Sequence, residues 1–374
     1  MSKKQRCLMM GSLPHDVVER ILERLAVDPL LRFKAVSKQW KSTIESPFFQ
    51  RRQFQQRQQS GNPDVLLVSL CRYDVINLDI EALATLVLGS SSSVKIPTPW
   101  EEKEEDTEYL VSRDSCDGLV CLFNIRKSGF VVNPTTRWYH PLPPCQLQQV
   151  ITGLGDSFYD LGYRLSKLGF GKDKLTGTYK PVWLYNSLEI GLENATTCEV
   201  FDFSTNAWRY VSPAAPYRIV GCPSPVCVDG SLHWFTECEE TKILSFDLHT
   251  ETFQVVSKAP FANVDGFHLD NRLCVSEMKR PKQVIWSFNS GNKTWHKMCS
   301  IDLDITSHWF GRHLCAVMPL ALLDGKKKKL LFYCRERSRT LMVHDHETKS
   351  YDVAFEADSV GYPVCYFPSL ISIS

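Results

Sequence analysis

Fourteen cysteines and ten histidines are the residues of this 374-residue chain best suited to metal binding or nucleophilic chemistry, and their spacing argues against both. No Cys-x-x-Cys pair occurs. Cys116/Cys121 and Cys222/Cys227 stand five residues apart in strand-like text, a spacing that matches no common zinc site. His344 and His346 flank Asp345 in a segment that reads as a turn, where their role is local. Gly169-Phe170-Gly171 lacks the third glycine and the following helix that a dinucleotide site needs. There is no Walker-type phosphate loop, no Gly-x-Ser-x-Gly elbow and no His-Glu-x-x-His pair. The sequence therefore predicts no catalytic residue, no cofactor and no metal, and the cysteines read as buried thiols that behave like small hydrophobes.

What the spacing does offer is a recognition surface. Ser12-Leu13-Pro14-His15-Asp16-Val17-Val18 opens a run of short helices, with Pro14 at a position where its missing N–H costs nothing and Asp16 near the positive end of the helix dipole. Val17, Val18, Ile21, Leu22 and Leu25 lie at helical spacing along one stripe. Asp28-Pro29 restarts the pattern as cap plus proline, followed by Leu30, Leu31, Phe33 and Val36. Ser37 caps a third helix carrying Trp40 and Ile44, and Ser46-Pro47 stops it. Three helices in under forty residues cannot bury this much apolar surface among themselves, so part of it faces a partner.

These residues resemble the F-box, in particular its plant form: Leu13-Pro14-x-Asp16-Val17-Val18-x-x-Ile21-Leu22-x-x-Leu25, then Leu30-Leu31-Arg32-Phe33-x-x-Val36-Ser37-Lys38-x-Trp40, then Ile44-x-x-Pro47-x-Phe49. The resemblance implies docking on a Skp-type adaptor and, through it, on cullin and RING subunits of a ubiquitin ligase. Leu13, Pro14, Val17, Ile21, Leu22, Leu30, Leu31 and Val36 are the expected adaptor-binding residues, while Trp40 locks the helices together. The F-box is assigned to 8–50 and a polar linker to 51–64, the last helix running out into it.

Lys plus Arg number 43 against 42 for Asp plus Glu, so no global field draws the chain to nucleic acid or anionic membrane. The N-terminus lacks the long apolar region of a secretory signal, and the longest apolar stretch, around Leu314 to Leu323, is far short of a membrane span. The expectation is an intracellular protein of cytoplasm and/or nucleus. Ser90 to Ser93, Glu101 to Glu105 and Lys326 to Lys329 read as solvated loops, the last as a hairpin tip with nuclear import as the alternative.

From residue 65 the texture changes to short apolar runs between turns, and a repeat emerges. Val132-Asn133, Phe201-Asp202, Phe246-Asp247, Phe288-Asn289 and His344-Asp345 are each followed, five or six residues on, by an aromatic: Trp138, Trp208, Phe253, Trp295 and Tyr351. The Asx side chain holds a turn by accepting backbone N–H bonds, and the aromatic anchors the returning strand in the core. Asp117-Gly118, Asp229-Gly230 and Asp324-Gly325 suit tight hairpins. Intervals of 69, 45, 42 and 56 residues between the Asx landmarks belong to propeller blades rather than helical solenoids.

Ser115-Cys116-Asp117-Gly118-Leu119-Val120-Cys121, Val132-Asn133-Pro134-Thr135-Thr136-Arg137, Gly169-Phe170-Gly171 and Asp229-Gly230-Ser231-Leu232-His233-Trp234 resemble the plant F-box-associated domain, which is similar to kelch propellers. The match is best over 110–355 within a β domain of 65–374. Two departures stand out: the doubled glycine of kelch blades is absent, and Pro181 points to an edge strand. The expected fold is a small all-α F-box of three helices followed by a mainly-β domain, a kelch-like β-propeller of about six blades, with an open β-sandwich as the alternative. The expected function is non-catalytic: the substrate-recognition subunit of a Skp–cullin–F-box ligase, binding a protein substrate the sequence does not identify, the alternative being an F-box scaffold that promotes no degradation.

Overall fold

A computed structural model of the chain describes residues 13–68, 83–86, 94–96, 110–153, 168–221, 224–261, 265–311, 316–323, 328–334, 340–357 and 362–373. The serine and glutamate loops, Cys222, Asp324-Gly325 and Lys326-Lys327 lie outside them.

Four helices open the chain: α1 (His15–Leu22), α2 (Val27–Phe33), α3 (Lys38–Glu45) and α4 (Pro47–Ser60). Caps set their limits. Ser37 Oγ accepts from Trp40 N at 3.1 Å at the start of α3, and Ser46 Oγ accepts from Phe49 N at 3.3 Å at the start of α4, with Pro47 in its first position. Two expectations are corrected. The second helix starts two residues early, with Ala26 at the cap and Asp28 inside the first turn, because Pro29 needs no N–H donor anywhere in that turn. Ser46-Pro47 both ends α3 and starts α4, so most of the expected linker is helix. Its Phe54 and Gln53 are buried, Gln53 Nε2 donating to Leu25 O at 2.9 Å.

The β domain consists of four-stranded antiparallel sheets. Five are each continuous in the chain: from Leu110–Val111 to Trp138–Leu142, from Gly169–Lys172 to Ala207–Tyr210, from Val226–Val228 to Phe253–Lys258, from Asp265–Leu269 to Thr294–Asp302, and from Val317–Leu323 to Tyr351–Glu356. The remaining sheet is composite. Tyr362–Tyr366 pairs with Asp64–Val68, which pairs with Leu83–Leu86 and that with Val94–Ile96. Both ends of the domain thus meet in one ladder. The expectation of about six blades is corrected accordingly: five sheets carry the repeat, and the sequence between Leu83–Leu86 and Val94–Ile96 of the composite one holds no Asp or Asn.

Each pair of neighbouring sheets shares its own apolar cluster, and the clusters follow one another round to the composite sheet, where Val65 and Leu67 meet Leu331 and Leu341 on one side and Leu66 and Val68 meet Val120 and Leu122 on the other. The Asx landmarks all fall at the end of a third strand. The carboxyl or carboxamide Oδ1 of Asn133, Asp247, Asn289 and Asp345 accepts two backbone N–H bonds, that of Asp202 one. Four residues after each stands a left-handed residue: Arg137, Asn206, Glu251, Lys293 and Lys349. The 69-residue interval is long because helix α5 (Gln146–Gly153) and residues 154–167 precede the second continuous sheet. The Glu199 carboxylate caps that helix by accepting from Gln146 N at 2.9 Å and Leu147 N at 3.1 Å. Pro181 is not on an edge strand. It sits in Tyr179–Asn186, between two others, just past the Val182–Val200 end of the ladder to Thr196–Asp202, so its missing N–H breaks no bond there.

Candidate functional site

The helical module sorts its apolar residues into two sets. Leu22, Val27, Leu30, Ile44 and Phe49 form its core, with Phe33 and Trp40 packed edge to face at 5.5 Å beside it. Leu13 (59% exposed), Val17, Ile21, Val36 (60% exposed) and Phe48 are left outside. Val17 and Ile21 are one turn apart on α1, and the Pro14 carbonyl accepts from Val17 N at 3.0 Å and Val18 N at 3.1 Å, so Leu13 and Pro14 continue the same face at the helix start. Of the eight residues expected to touch an adaptor, Leu13, Pro14, Val17, Ile21 and Val36 are on the surface and Leu31 is half-buried. Leu22 and Leu30 are corrected: at 1% and 0% exposure they are interior groups that hold the face rather than form it. Arg52 clamps α4 to α1 through Glu23 at 2.8 Å and Glu19 at 3.6 Å.

One core residue of this module comes from the far end of the chain. Leu370 packs among Leu22, Leu30 and Phe49, while its neighbour Ile371 enters the cluster shared by the first two continuous sheets. Phe367 meets Phe54 of α4 edge to face at 6.5 Å. The segment 367–373 is thus a strap between helices and β domain, and the Asn133 carboxamide locks it. Its Nδ2 donates to Ser369 O at 3.0 Å, Ser369 Oγ at 3.2 Å and Ile371 O at 2.8 Å, while its Oδ1 still holds the turn. Gly118, at φ +80°, lets the hairpin come close, since a Cβ there would lie 2.6 Å from both Phe367 O and Ser369 Oγ. No periodic signal marks the strap in the sequence. Only the Asn at 133 hints at it, and an Asn serves an Asx turn equally well without a strap.

The repeat aromatics Trp138, Trp208, Phe253, Trp295 and Tyr351 are half-buried, packed against the inter-sheet clusters from their edge rather than placed in the core. Their rings pack on the third strand: Trp208 on Phe201 at 5.2 Å, Phe253 on Phe246 at 4.7 Å and Trp295 on Phe288 at 5.1 Å, all tilted, and Tyr351 stacked on His344 at 4.3 Å. Three also bond to the preceding sheet, where its fourth strand ends. Trp208 Nε1 donates to Pro143 O at 2.6 Å, Trp295 Nε1 to Lys258 O at 3.2 Å, and Asp302 N to the Tyr351 hydroxyl at 2.8 Å. They are latches between sheets. His344 stays in its turn, its Nδ1 3.0 Å from Ser350 O.

Several ionisable groups meet in the channel lined by the first strands of the sheets. Asp114, beside the first continuous sheet, lies 2.7 Å from His268 Nδ1 and accepts from Cys227 N at 3.2 Å, joining three sheets. Burial works against the charged forms. The His268 charge and hydrogen bond nevertheless hold the Asp114 carboxyl below the usual carboxylate range, and Asp114 in return raises the His268 imidazole. Arg113 stands beside them, its guanidinium 5.8 Å from the Phe267 ring centre and its Nη2 3.9 Å from Met318 Sδ. The thiols are not poised for reaction: burial pushes Cys121, Cys145 and Cys198 well up, and Cys227 up to about 12. Among the described residues, no three His, Cys, Asp or Glu converge on a metal site.

Known proteins match both parts of this architecture. Residues 66–373 match the F-box associated beta propeller domain and residues 10–52 the F-box domain. The chain is 84% identical, over 100% of both chains, to the Arabidopsis thaliana protein named F-box/LRR-repeat/kelch-repeat protein At1g09650. It is 51% identical to F-box protein At2g34280 of the same plant, covering 97% of this chain and 100% of the relative.

Proposed function

Because the chain belongs to the F-box proteins that carry an F-box associated beta propeller domain, we propose that it is the substrate-recognition subunit of a Skp–cullin–F-box ubiquitin ligase. The observation that carries this reading is the division within the helical module. Its core is complete with Leu22, Leu30, Ile44, Phe49 and the borrowed Leu370, yet Leu13, Val17, Ile21 and Val36 remain outside. Exposed apolar groups arranged on one helix face are what a partner buries. The adaptor covers the Leu13, Pro14, Val17 and Ile21 face, and the β domain, read as a kelch-like ring closed by its composite sheet, captures the target in the cytoplasm or nucleus. The receptor performs no chemistry: by holding both it raises the effective concentration of target lysines at the conjugating enzyme.

Val17→Asp with Ile21→Asp tests the reading. Adaptor capture by the full chain should fall to background while the melting transition stays where it was, because neither side chain is in the core. Undiminished capture would sink the docking assignment. Capture of adaptor without cullin in the parent chain would turn the reading into that of a regulator outside the ligase.

A further inference from the structure

Deepening the receptor reading, on which it rests, we infer that the 367–373 strap makes adaptor docking conditional on closure of the β ring: the docking face keeps its competent form only while Tyr362–Tyr366 is paired with Asp64–Val68. That closing ladder is where both connections to the helical module leave the β domain. Asp64, separated from the end of α4 by three residues, stands opposite Tyr366, and the strap begins at the residue after Tyr366. Pairing the two strands therefore sets the strap beside α4, where Phe367 meets Phe54 and Leu370 reaches the helical core. Ser115 Oγ ties the same last strand to the first continuous sheet by donating to Cys365 O at 2.9 Å.

Among the described residues, six buried apolar side chains make up the helical core, and Leu370 is one of them. The other five lie between Leu22 and Phe49, more than 300 positions earlier. A unit this small is marginal even when complete, so it has no surplus to lose. Leu22 is the core neighbour of Ile21 on α1, and withdrawing Leu370 loosens the helix whose outer side carries Val17 and Ile21. Leu370, Ile371 and the three Asn133 bonds to Ser369 and Ile371 all engage within three residues, so they form and break as one local unit. The apparent dissociation constant for the adaptor is the intrinsic one divided by the fraction of chains in the competent form. Linkage runs both ways: an adaptor that selects the closed form stabilises the closing ladder by the same factor. During synthesis α1 to α4 exist long before Leu370 is made, and a chain whose ring is still open recruits the ligase weakly. The adaptor is thereby reserved for receptors whose β domain is closed and able to hold a target.

The test measures amide hydrogen exchange and adaptor affinity of the full chain, with each variant read in the part of the molecule it does not alter. Asn133→Asp, made in the β domain, should speed exchange of α1 to α3 at least tenfold without adaptor. Leu370→Ala, made in the helical core, should speed exchange of Tyr362–Tyr366. The third continuous sheet, which shares no apolar cluster with the strap, should keep its parental exchange in both and so report that the β domain is folded. Affinity for the Skp-type adaptor should fall at least tenfold in each variant, and in the parent chain bound adaptor should slow exchange of Tyr362–Tyr366. Helices that keep their parental exchange in Asn133→Asp, a closing ladder unmoved by Leu370→Ala, full adaptor affinity in either variant, or an adaptor that protects the helices alone would each overturn the inference. If Asn133→Asp also unfolds the third sheet, Leu370→Ala and the parent's response to adaptor decide. An adaptor that does not bind the parent chain would defeat the receptor reading instead, and the exchange measured without adaptor would still decide whether strap and helices open together.

Discussion

Asn133 and Asn289 occupy the same place in two copies of one turn, and they are used differently. Each accepts backbone N–H bonds two and three residues on, each is followed by a left-handed residue at the fourth position, and each precedes a tryptophan. Asn289 is exposed, and a carboxylate would serve its turn as well, as Asp247 and Asp345 show in theirs. Asn133 is fully buried, and its amino group reaches the strap that carries Leu370 into the F-box core. The repeat makes turns, and a copy that needs a donor as well as an acceptor has been drawn into the joint between the two parts of the molecule.

Asn133→Asp breaks that joint while sparing the turn, and it carries the largest expected effect. The variant loses every strap bond and turns a carboxylate towards the Ser369 and Ile371 carbonyl oxygens in a buried site. The expected cost is about 3–5 kcal/mol, that of stranding a buried charge; chemical denaturation of the full chain measures it. A loss below about 1 kcal/mol would mean that the strap bonds are not what holds the joint. Leu370→Ala attacks the same joint from the other side. Removing a buried leucine from the F-box core should cost about 2–5 kcal/mol, and the proteolysis rate of α1 to α3 should rise with it, since those helices share that core.

The same contrast explains what the sequence could and could not disclose. Turn chemistry was legible because it is local: an Asx side chain, a left-handed residue and an aromatic lie within six or seven residues, and Asp229-Gly230 closes a two-residue hairpin as its dipeptide requires. Asp270-Asn271 closes another with both residues at positive φ, and it escaped notice because it lacks the glycine. The exposed and buried halves of the α1 stripe were not separable, because Ile21 and Leu22 differ only in which way the next element lies. Leu370, Ile371 and the Asp114–His268 contact were invisible for a related reason. They join residues more than 150 positions apart, and no short-range pattern encodes such a meeting.

Trp208 measures how far a repeat position matters when it is a latch and not a core group. A buried tryptophan costs roughly 3–5 kcal/mol on truncation. Half-buried Trp208→Ala should cost about 2 kcal/mol, less than either joint variant. Trp208→Phe keeps the ring contact with Phe201 and removes the bond to Pro143 O, so about 1 kcal/mol should remain. If phenylalanine proves as costly as alanine, the inter-sheet bond outweighs the ring.

Asn289→Asp carries the smallest effect and is the control on which the comparison turns. The exposed acceptor oxygens of a carboxylate can take the Gly291 and Asn292 N–H bonds that the carboxamide takes now, at 2.9 and 3.4 Å. The new charge stays in water, so stability should move by no more than about 0.5 kcal/mol in either direction, as at other surface sites. Denaturation midpoints at low and high salt separate the two terms that remain: a field effect from neighbouring charges is screened by salt, whereas a change in the turn is not. A loss comparable to that of Asn133→Asp would place the penalty in the turn itself, shared by all copies, and the special standing of Asn133 would disappear. A small, salt-sensitive change leaves the strap as the one feature that sets Asn133 apart from Asn289.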